Sequence, residues 1–313
     1  MSRRLRVLTW HVHGTYLWYL SHIDHDLYLP VAPGRPPGYG GRTGAWPWPS
    51  NVHEVTVDEL PSLEVDVVLH QTHRNWEVDR HELLTAAQRG RPQVVLEHDP
   101  PRASPTDTVH PVDDPDAVLV HVTPFNALMW DSGRTPTRVI EHGVTVPAGA
   151  TYRGEHDRGI VVANHLARRG RRLGADVFAA ARRHVPLDLV GMGADELGGL
   201  GEVPPPEVPA FLAAYRFYLH TTRWTSLGLS LLEAMAVGLP VVGLATTELA
   251  TVVDDGVTGF VDTDVGRLVD AMRLLLDDPD LAHRMGAKGR EVARDRFGID
   301  RFAADWHALL TAL

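Results

Sequence analysis

One acidic side chain in an apolar segment marks the first place where this sequence could hold a ligand. Between Arg223 and Glu248 the only ionisable side chain is Glu233, which stands in a run of Leu, Ala, Met and Val. This composition predicts a helix that is buried on almost every side. Because an unpaired buried charge is strongly destabilising, the Glu233 carboxylate needs a partner. That partner is either a neighbouring backbone group or a ligand.

The turn before this helix adds a second binding feature. Ser226, Leu227 and Gly228 open the helix, and the unpaired N–H groups of a helix start attract an anion by about 0.3 to 1 kcal/mol. Glu233 lies about two turns further along the helix. A ligand with its phosphate at the helix start would therefore offer a ribose diol to Glu233, whose two oxygens can accept from two hydroxyl groups.

Arginines cluster after the predicted first strand of the second half of the chain. The run 164–172 reads NHLARRGRR and places four arginines around one glycine. Guanidinium groups bind phosphate in a bidentate fork, so this run is a candidate anion site. The alternative is a solvated basic helix start without a ligand.

The segment 221–259 resembles the C-terminal signature of glycosyltransferase family 4. That family consists of retaining enzymes of the GT-B fold, which use nucleotide-sugar donors. Its signature reads P-S-x-x-E-x-F-G-L-x-x-x-E-A-M-A-x-G-x-P-V-V, followed by D-G-x-T-G. The matching residues are Gly228-Leu229, Glu233-Ala234-Met235-Ala236, Gly238, Pro240-Val241-Val242 and Asp255-Gly256-Val257-Thr258-Gly259.

The sequence departs from the family signature where the family grips the donor sugar. Thr225 stands in place of the first Glu of the family's pair, and Leu227 replaces the usual Phe. A hydroxyl can still bond a sugar, but without the assistance of a charge. The resemblance therefore supports nucleotide binding more firmly than a particular sugar. The donor-binding residues that it implies here are Thr225, Ser226, Leu227, Gly228, Leu229 and Glu233.

The arginine-rich run resembles the family's G-R-L-x-x-x-K-G, whose Arg and Lys hold the donor diphosphate. In this register Asn164 replaces the Arg and Arg169 replaces the Lys, so one positive charge is kept unless Arg168 or Arg172 supplies the second. The resemblance implies that Asn164 and Arg168 bind the donor and that Arg169 stabilises the departing diphosphate in catalysis. Val203 resembles the strand end that lines the nucleotide base, although a plain strand with a polar edge fits almost as well.

Histidines follow several apolar runs of the first half, among them His70, His73 and His98. Closely spaced histidines can bind zinc, but the chain has no cysteine and no metal-type Glu-His grouping accompanies them, so we expect no metal. By the resemblance, His98 occupies the position of the family histidine that contacts the donor sugar near its anomeric carbon, which implies a catalytic role. Read alone, a single histidine at a strand end is more often structural.

Asp262 and Asp264 have the spacing of the metal-binding Asp-x-Asp of a different transferase fold. Their setting, a strand end before a helix, favours a helix cap instead.

Composition excludes several classes of function. At 313 residues, with 44% hydrophobic and 22% charged side chains, the chain is typical of a globular protein with two domains. A net charge of −10 argues against a general nucleic-acid binder. The lack of cysteine excludes disulfides and a cysteine nucleophile. No apolar run approaches the roughly 18 residues of a membrane span, and MSRRLRVLTW lacks the apolar core of a signal peptide, so we expect a cytoplasmic location.

Alternating strands and helices must position the residues of the first half. Residues 6–10 (RVLTW) predict a buried strand that runs into a turn at Gly14 and then a helix over 15–20. Doubly wound domains begin in this way and bind ligands beyond their strand ends, so Gly14 is a candidate donor-binding residue. Residues 30–51, rich in Pro, Gly and Trp, predict an irregular loop that either folds over the acceptor or tucks Trp46 and Trp48 against the surface. Further strands are expected at 26–29, 65–70, 93–96, 117–120 and 138–140, with a helix at 79–89.

The second half repeats the alternation. Its predicted strands are 159–163, 187–190 and 217–219. Its predicted helices are 171–184, 206–216, 265–277, 281–297 and 299–313. We expect Asp264, Asp280 and Gly298 to mark the boundaries of the C-terminal helices. We therefore predict an α/β protein of the GT-B type, with two doubly wound Rossmann-like domains facing across a cleft. The acceptor domain spans 1–150 and the nucleotide-sugar domain spans 151–298. By the resemblance, the helix at 299–313 packs back on the first domain, and Trp306 suits that contact.

The resemblance implies a glycosyltransferase that moves a sugar from a nucleoside-diphosphate sugar to a small-molecule or glycan acceptor. It further implies a metal-independent, retaining reaction without a cofactor. Thr225 and Asn164 leave open a non-catalytic relative that binds a nucleotide sugar or a protein partner. A sugar 2-epimerase ranks lower, because no suitable set of carboxylates stands in the first domain. The base, the sugar, the acceptor and the oligomeric state are not identified by the sequence.

Overall fold

The computed structural model describes residues 3–313. The chain divides into two compact units. Unit 1 comprises residues up to Gly143 together with Ile299–Leu313, and unit 2 comprises Val144–Gly298. The first unit thus ends at Gly143 rather than at residue 150.

Unit 1 is built on seven parallel strands in the order β3-β2-β1-β4-β5-β6-β7. The chain adds β2 and β3 on one side of β1, and then β4 to β7 on the other side. The direction of strand addition therefore reverses between β1 and β4. Ligands of doubly wound sheets bind at the carboxyl ends beside such a reversal. The strands are β1 (Arg6–Thr9), β2 (Asp26–Val31), β3 (Val52–Thr56), β4 (Val67–His70), β5 (Gln93–Glu97), β6 (Ala117–His121) and β7 (Thr137–Val139).

The helices of unit 1 are short, apart from the one contributed by the end of the chain. They are α1 (Gly14–Leu20), α2 (Arg80–Leu83), α3 (Ala86–Arg89), α4 (Pro124–Met129) and α12 (Ile299–Ala312), with a 3-10 turn at Leu60–Ser62 and a π-helical turn at Asn75–Asp79. The single helix predicted at 79–89 was wrong. Leu84 is extended, and Thr85 starts a new helix through a capping box with Gln88.

The segment between β2 and β4 also differs from the prediction. Residues 52–56, for which the sequence predicts no strand, form β3 beside β2. The preceding loop lies against α1, where Trp46 stacks on Trp18 with ring centroids 5.1 Å apart. Trp48 meets the edges of Trp18 and His11. The two tryptophans are therefore tucked against unit 1.

Helix α12 completes the core of unit 1. Phe302 and Trp306 are fully buried, and Phe302 packs so closely on Gly143 that a Cβ there would lie 2.2 Å from the Phe302 Cβ. The guanidinium group of Arg301 donates to the backbone oxygens of Glu141 and His142. The C-terminal helix is thus an integral part of the first unit.

Unit 2 contains five parallel strands in the order β12-β11-β10-β8-β9. Its order reverses between β8 and β10. The strands are β8 (His156–Val162), β9 (Leu187–Val190), β10 (Tyr215–His220), β11 (Val241–Leu244) and β12 (Gly259–Asp262). The helices are α5 (Leu166–Leu173), α6 (Ala175–Ala181), α7 (Val208–Leu212), α8 (Leu229–Val237), α9 (Leu249–Val252), α10 (Val265–Asp277) and α11 (Pro279–Phe297), with 3-10 turns at Ala194–Leu197 and Pro205–Glu207.

The helix boundaries of unit 2 differ from the prediction at two places and agree with it at a third. The helix expected at 171–184 is two helices, because Gly174 adopts a left-handed conformation between α5 and α6. Asp264 caps α10 by accepting from the Gly266 N–H at 2.7 Å, which confirms the cap interpretation. The cap of α11 is Asp278, not Asp280.

None of the described helices is both long and apolar enough to cross a bilayer.

Candidate functional site

The segment that leaves β10 is fixed from two sides before it enters α8. The Thr221 hydroxyl donates to the Leu173 backbone oxygen at 2.6 Å. The Thr246 hydroxyl, which follows β11, donates to the Thr222 backbone oxygen at 2.7 Å. The turn that carries Thr225 to Gly228 therefore starts from a rigid base at the carboxyl edge of the sheet.

The start of α8 combines an uncapped helix end with a buried hydroxyl. Gly228 is the N-cap in an extended conformation, and no side chain caps the helix. Ser226 is 8% exposed, and its Oγ has no hydrogen-bond partner among the described residues. Leaving a buried hydroxyl unpaired costs about 1 to 3 kcal/mol. A ligand oxygen at this helix start would satisfy Ser226 and the first N–H groups of α8 together, beside the buried Leu227 and the first helical residue, Leu229.

Glu233 lies on α8, 4% exposed. The Tyr218 hydroxyl of β10 lies 3.1 Å from Ser230 Oγ, one turn before Glu233. Burial raises the pKa of Tyr218, and the negative charge of Glu233 raises it further. These relationships place the Glu233 carboxylate close to the Tyr218 phenol. The burial of Glu233 and its neighbours agrees with the expectation of a helix that is covered on most sides.

The arginine-rich run lies at the same edge of the sheet, because β8 and β10 are neighbours. Asn164 follows β8, and its side-chain oxygen accepts from the Met192 N–H at 2.9 Å, so it braces the loop after β9. Arg171 forms an ion pair with Asp176 at 2.6 Å. Arg168 is exposed and Arg169 half-buried on α5. The two cations proposed for the diphosphate therefore stand on a helix beside the α8 turn.

Val203 lies on a segment without strand structure. Two residues of this segment nevertheless bond to the β9 region, since Leu200 N–H donates to Leu189 O at 2.8 Å and Gly191 N–H donates to Gly201 O at 2.9 Å. The segment takes the place of an edge strand beside β9. Val203 itself is half-buried beyond it.

In unit 1, His98 lies in a group of aromatic rings just beyond β5. Its Nε2 lies 3.2 Å from the side-chain oxygen of Gln71, which follows β4. The rings of His13 and Tyr16 meet it edge-on, at centroid distances of 4.3 and 4.8 Å. Burial, followed by the neighbouring histidines, holds the pKa of His98 well below its usual range. Because Gln71 offers an oxygen, the neutral imidazole carries its proton on Nε2 and keeps Nδ1 as an acceptor.

Gly14 begins α1 next to this group. A Cβ at Gly14 would lie 3.1 Å from His11 Nε2 and 3.8 Å from Trp46 Nε1. Gly14 therefore allows the loop after β1 to fold closely against the helix start.

Glu97, the last residue of β5, is a buried carboxylate with three donors. Its Oε2 lies 2.7 Å from His73 Nε2 and 3.1 Å from His110 Nε2, and its Oε1 accepts from the Asp99 N–H at 2.8 Å. Burial alone would raise the pKa of Glu97, but these bonds hold it well below its usual range. The same carboxylate raises the pKa of His73. Glu97 is therefore ionised, and His73 beside it is readily protonated.

His73, Glu97 and His110 also have a spacing that could hold a metal ion, since their candidate ligand atoms lie within 4.8 Å of one another. The surroundings of His110 oppose this use. The Val112 N–H donates to His110 Nδ1 at 3.1 Å, so the neutral ring must carry its proton on Nε2, the atom directed at Glu97. A metal at that nitrogen would require an imidazolate. The geometry therefore favours a hydrogen-bonded carboxylate over a metal centre.

A cavity of about 560 Å³ opens beside these two groups in unit 1. Its size is that of a small-molecule site. Both His98 and His73 line it, whereas His70 does not. His70 is fully buried and bonds Gln93 at 2.8 Å, so that it is part of the core.

Sequence reasoning missed Glu97 and Trp130, which line this cavity, and His110, which bonds Glu97 behind it. Glu97 adjoins the predicted His98, but its pairing with His73 depends on the alignment of β4 and β5. His110 and Trp130 come from irregular segments with no periodic pattern, so no sequence signal identified them. The structure thus places His98 and His73 at one cavity in unit 1, and Asn164, Arg168, Arg169, Val203 and 225–233 in unit 2.

Comparisons with known proteins find a family match in the second half of the chain. The family described as "Glycosyl transferases group 1" matches residues 193–292, which include the α8 turn. Trehalose synthase of Pyrococcus horikoshii is 34% identical over 107 residues, 34% of this chain and 26% of that protein. The matched part of the chain therefore spans about a quarter of the length of this relative.

Two solved structures superimpose on almost the whole chain. Anabaena HepE, solved in complex with UDP and glucose, has a TM-score of 0.72 at 14% identity and covers 99% of this chain and 100% of that one. Sucrose-phosphate synthase of Thermosynechococcus elongatus has a TM-score of 0.70 at 16% identity, with 99% of both chains covered. The fold is that of GT-B glycosyltransferases, with two Rossmann-like domains, as predicted.

Proposed function

We propose that this protein is a glycosyltransferase of the family 4 type that uses a nucleoside-diphosphate sugar as donor. The observation that carries the proposal is the buried Ser226 hydroxyl at the start of α8, where the described residues provide neither a hydrogen-bond partner for the hydroxyl nor a side-chain cap for the helix. That position needs a hydrogen-bonding ligand, and a phosphate suits both the hydroxyl and the helix end. Glu233, further along the same helix, then accepts hydrogen bonds from the two ribose hydroxyl groups.

The comparisons support the donor class. The glycosyl transferases group 1 match covers the α8 segment, and HepE, of the same fold, was solved with UDP and glucose. We therefore take UDP-glucose as the first donor to test. The acceptor is a small molecule or a glycan that binds unit 1.

The proposed reaction retains the anomeric configuration and needs neither metal nor cofactor. Arg169, with Arg168 beside it, and the α8 start stabilise the charge that develops on the departing diphosphate. Thr225 bonds a sugar hydroxyl, and Val203 lies against the base. His98, neutral because burial lowers its pKa, accepts a hydrogen bond from a sugar hydroxyl at Nδ1 and orients the donor sugar.

The position of Asn164 favours one alternative, a GT-B relative that binds a nucleotide sugar without transferring it. Asn164 is engaged with the Met192 N–H and brings no positive charge to the diphosphate. Release of nucleoside diphosphate from UDP-glucose, with and without mixed sugar acceptors, distinguishes the two functions. Tight binding without release supports the non-catalytic relative.

Calorimetric titration tests the donor site itself. We expect UDP to bind the purified protein and uridine to bind far more weakly, since uridine lacks the phosphates. Ser226→Ala should weaken UDP binding about tenfold or more, the loss expected for one hydrogen bond to a charged group. Equal affinity of UDP for Ser226→Ala and for the unaltered protein would refute the assignment of this helix start.

A further inference from the structure

The cavity of unit 1 has an unequal distribution of charge between its rim and its depth. The side chains of His73, Arg74 and Arg102 are 39%, 68% and 61% exposed. Their carboxylate partners lie deeper, with Glu97 at 8% and Asp79 at 1%. Positive groups therefore stand at the opening, and most of the negative charge is behind them.

The deep carboxylates hold the cations in place without using all their donors. Glu97 engages only Nε2 of His73, at 2.7 Å, so that its Nδ1 remains available. Asp79 lies 3.3 Å from the Nε of Arg74, which leaves the two Nη groups. Asp99, 27% exposed, pairs with a single Nη of Arg102. The neighbouring Glu97 raises the pKa of His73, and once His73 is protonated each of the three groups can still donate to a ligand.

One part of the cavity wall is apolar. Val12, Leu96 and Pro100 line it together with the Trp130 ring. The Trp130 Nε1 donates to the Asp99 backbone oxygen at 2.8 Å, so that the ring is fixed. Such a wall suits the carbon skeleton of a small ligand, while the rim suits an anionic substituent.

The charge of the rim is opposite to that of the whole chain, whose net charge is −10. A concave positive surface on an acidic protein concentrates anions locally. We propose that this cavity binds a small molecule bearing a carboxylate or a phosphate, with His73 and Arg102 recognising the anionic group and Trp130 contacting the carbon skeleton. In the proposed function, on which this role rests, that molecule is the acceptor.

The test compares three probes that share one sugar ring. Glucose 6-phosphate, glucuronate and glucose are titrated separately into the whole protein, and binding is followed by calorimetry and by the tryptophan fluorescence. We expect at least one anionic probe to bind at least about tenfold more tightly than glucose, as one charge-assisted hydrogen bond provides. The two anionic probes distinguish a phosphate from a carboxylate. Equal binding of all three, or no binding, would overturn the proposal.

Variants assign the binding to the cavity. His73→Gln keeps a donor for Glu97 but removes the imidazolium, and Arg102→Gln removes an exposed guanidinium, so both should fold. Each should weaken the preferred anionic probe about tenfold and leave glucose unchanged. Arg134→Gln is the matched control, because Arg134 is an exposed cation of unit 1 that pairs with Asp113 away from the cavity. Unchanged anion binding in both cavity variants would overturn the proposal.

A parallel UDP titration separates this inference from the donor assignment. UDP binding with no preference for anionic probes would overturn the cavity proposal and leave the donor site standing. Anion binding that is lost in His73→Gln, combined with no UDP binding, would support the cavity as a binding site and remove its role as an acceptor site.

Discussion

The guanidinium group of Arg223 donates to both carboxylate oxygens of Asp176, at 2.6 and 2.9 Å. It also donates to the backbone oxygen of Arg171 at 2.8 Å, while the N–H groups of Arg223 and Trp224 bond to the Arg172 oxygen. This pairing connects the segment that leads into α8 with the kinked junction of α5 and α6. The two parts of the proposed diphosphate site are therefore held as one piece.

Breaking this connection should affect binding more than folding. In Arg223→Gln we expect UDP affinity to fall several-fold, because the turn at Ser226 is no longer fixed against α5. The free energy of unfolding should fall by only about 0.5 to 1 kcal/mol, since both partners are about one-third exposed. Calorimetry and urea unfolding measure the two effects. Arg267→Gln, which removes an exposed pair with Asp262, is the control, and an equal loss of UDP affinity there would contradict the prediction.

Glu233 and Glu248 offer a matched comparison of two buried carboxylates in unit 2, at 4% and 2% exposure. Glu248 is paired within the protein, since its Oε1 lies 3.3 Å from an Arg296 nitrogen. We expect Glu233→Gln to weaken UDP binding about tenfold or more through loss of charge-assisted bonds to the ribose. Glu248→Gln should instead lower the melting temperature and preserve UDP affinity. The reverse pattern would show that Glu233 is structural.

Arg169 and Arg171 provide the next comparison, on one helix. Arg171 pairs with Asp176 and its side chain is 76% exposed. We expect Arg169→Gln to reduce affinity for UDP about tenfold and to leave the weak binding of uridine unchanged, because only the diphosphate contact is lost. Arg171→Gln should change neither. Isothermal titrations with both ligands check this, and an equal loss of uridine binding would place the diphosphate contact elsewhere.

His121 should make unit 1 sensitive to acid. It is fully buried, neither ring nitrogen has a partner among the described residues, and burial lowers its pKa to about 4. A histidine whose pKa is depressed in the folded state contributes stability above the unfolded pKa near 6.5, and this stability is lost as the pH falls towards 4. Between pH 7 and pH 5 that loss is about 2 kcal/mol.

Replacement of His121 by Phe removes this titration. The variant should therefore lose less stability than the unaltered protein when the pH falls from 7 to 5, as measured by urea unfolding at each pH. His81→Phe, at an exposed position of α2, should follow the unaltered protein. If the His121 variant shows the same decline as the unaltered protein, another group causes the acid sensitivity.

The elements that the sequence predicted best are the buried ones. Central parallel strands such as β4 and β5 are covered on both faces and read as uninterrupted apolar runs. Strand β3 was not predicted because it lies at the edge of the sheet. Some of its side chains are exposed, so its sequence contains no uninterrupted apolar run. The break near Thr85 was visible as a capping-box spacing with Gln88, although the apolar pattern around it favoured one helix.

The candidate site divides in the same way. The α8 turn could be read from the sequence because Ser226 and Glu233 are separated only by the helix that positions them. The Glu97 group beside the cavity of unit 1 could not be predicted in this way. Glu97 Oε2 and His110 Nε2 come within 3.1 Å of each other only through the fold, without a local motif. The tautomer of His110, which decides against a metal, depends on a backbone N–H two residues away.

The membership of α12 in unit 1 has a consequence for biosynthesis. The chain must pass through all of unit 2 before Phe302 and Trp306 emerge to cover Gly143 and its neighbours. Because domains otherwise fold from the N-terminus as they are made, unit 2 should reach its native state on the ribosome before unit 1 can. In a nascent chain arrested before residue 299, unit 2 would thus be folded while unit 1 would still lack its last helix and remain incompletely folded.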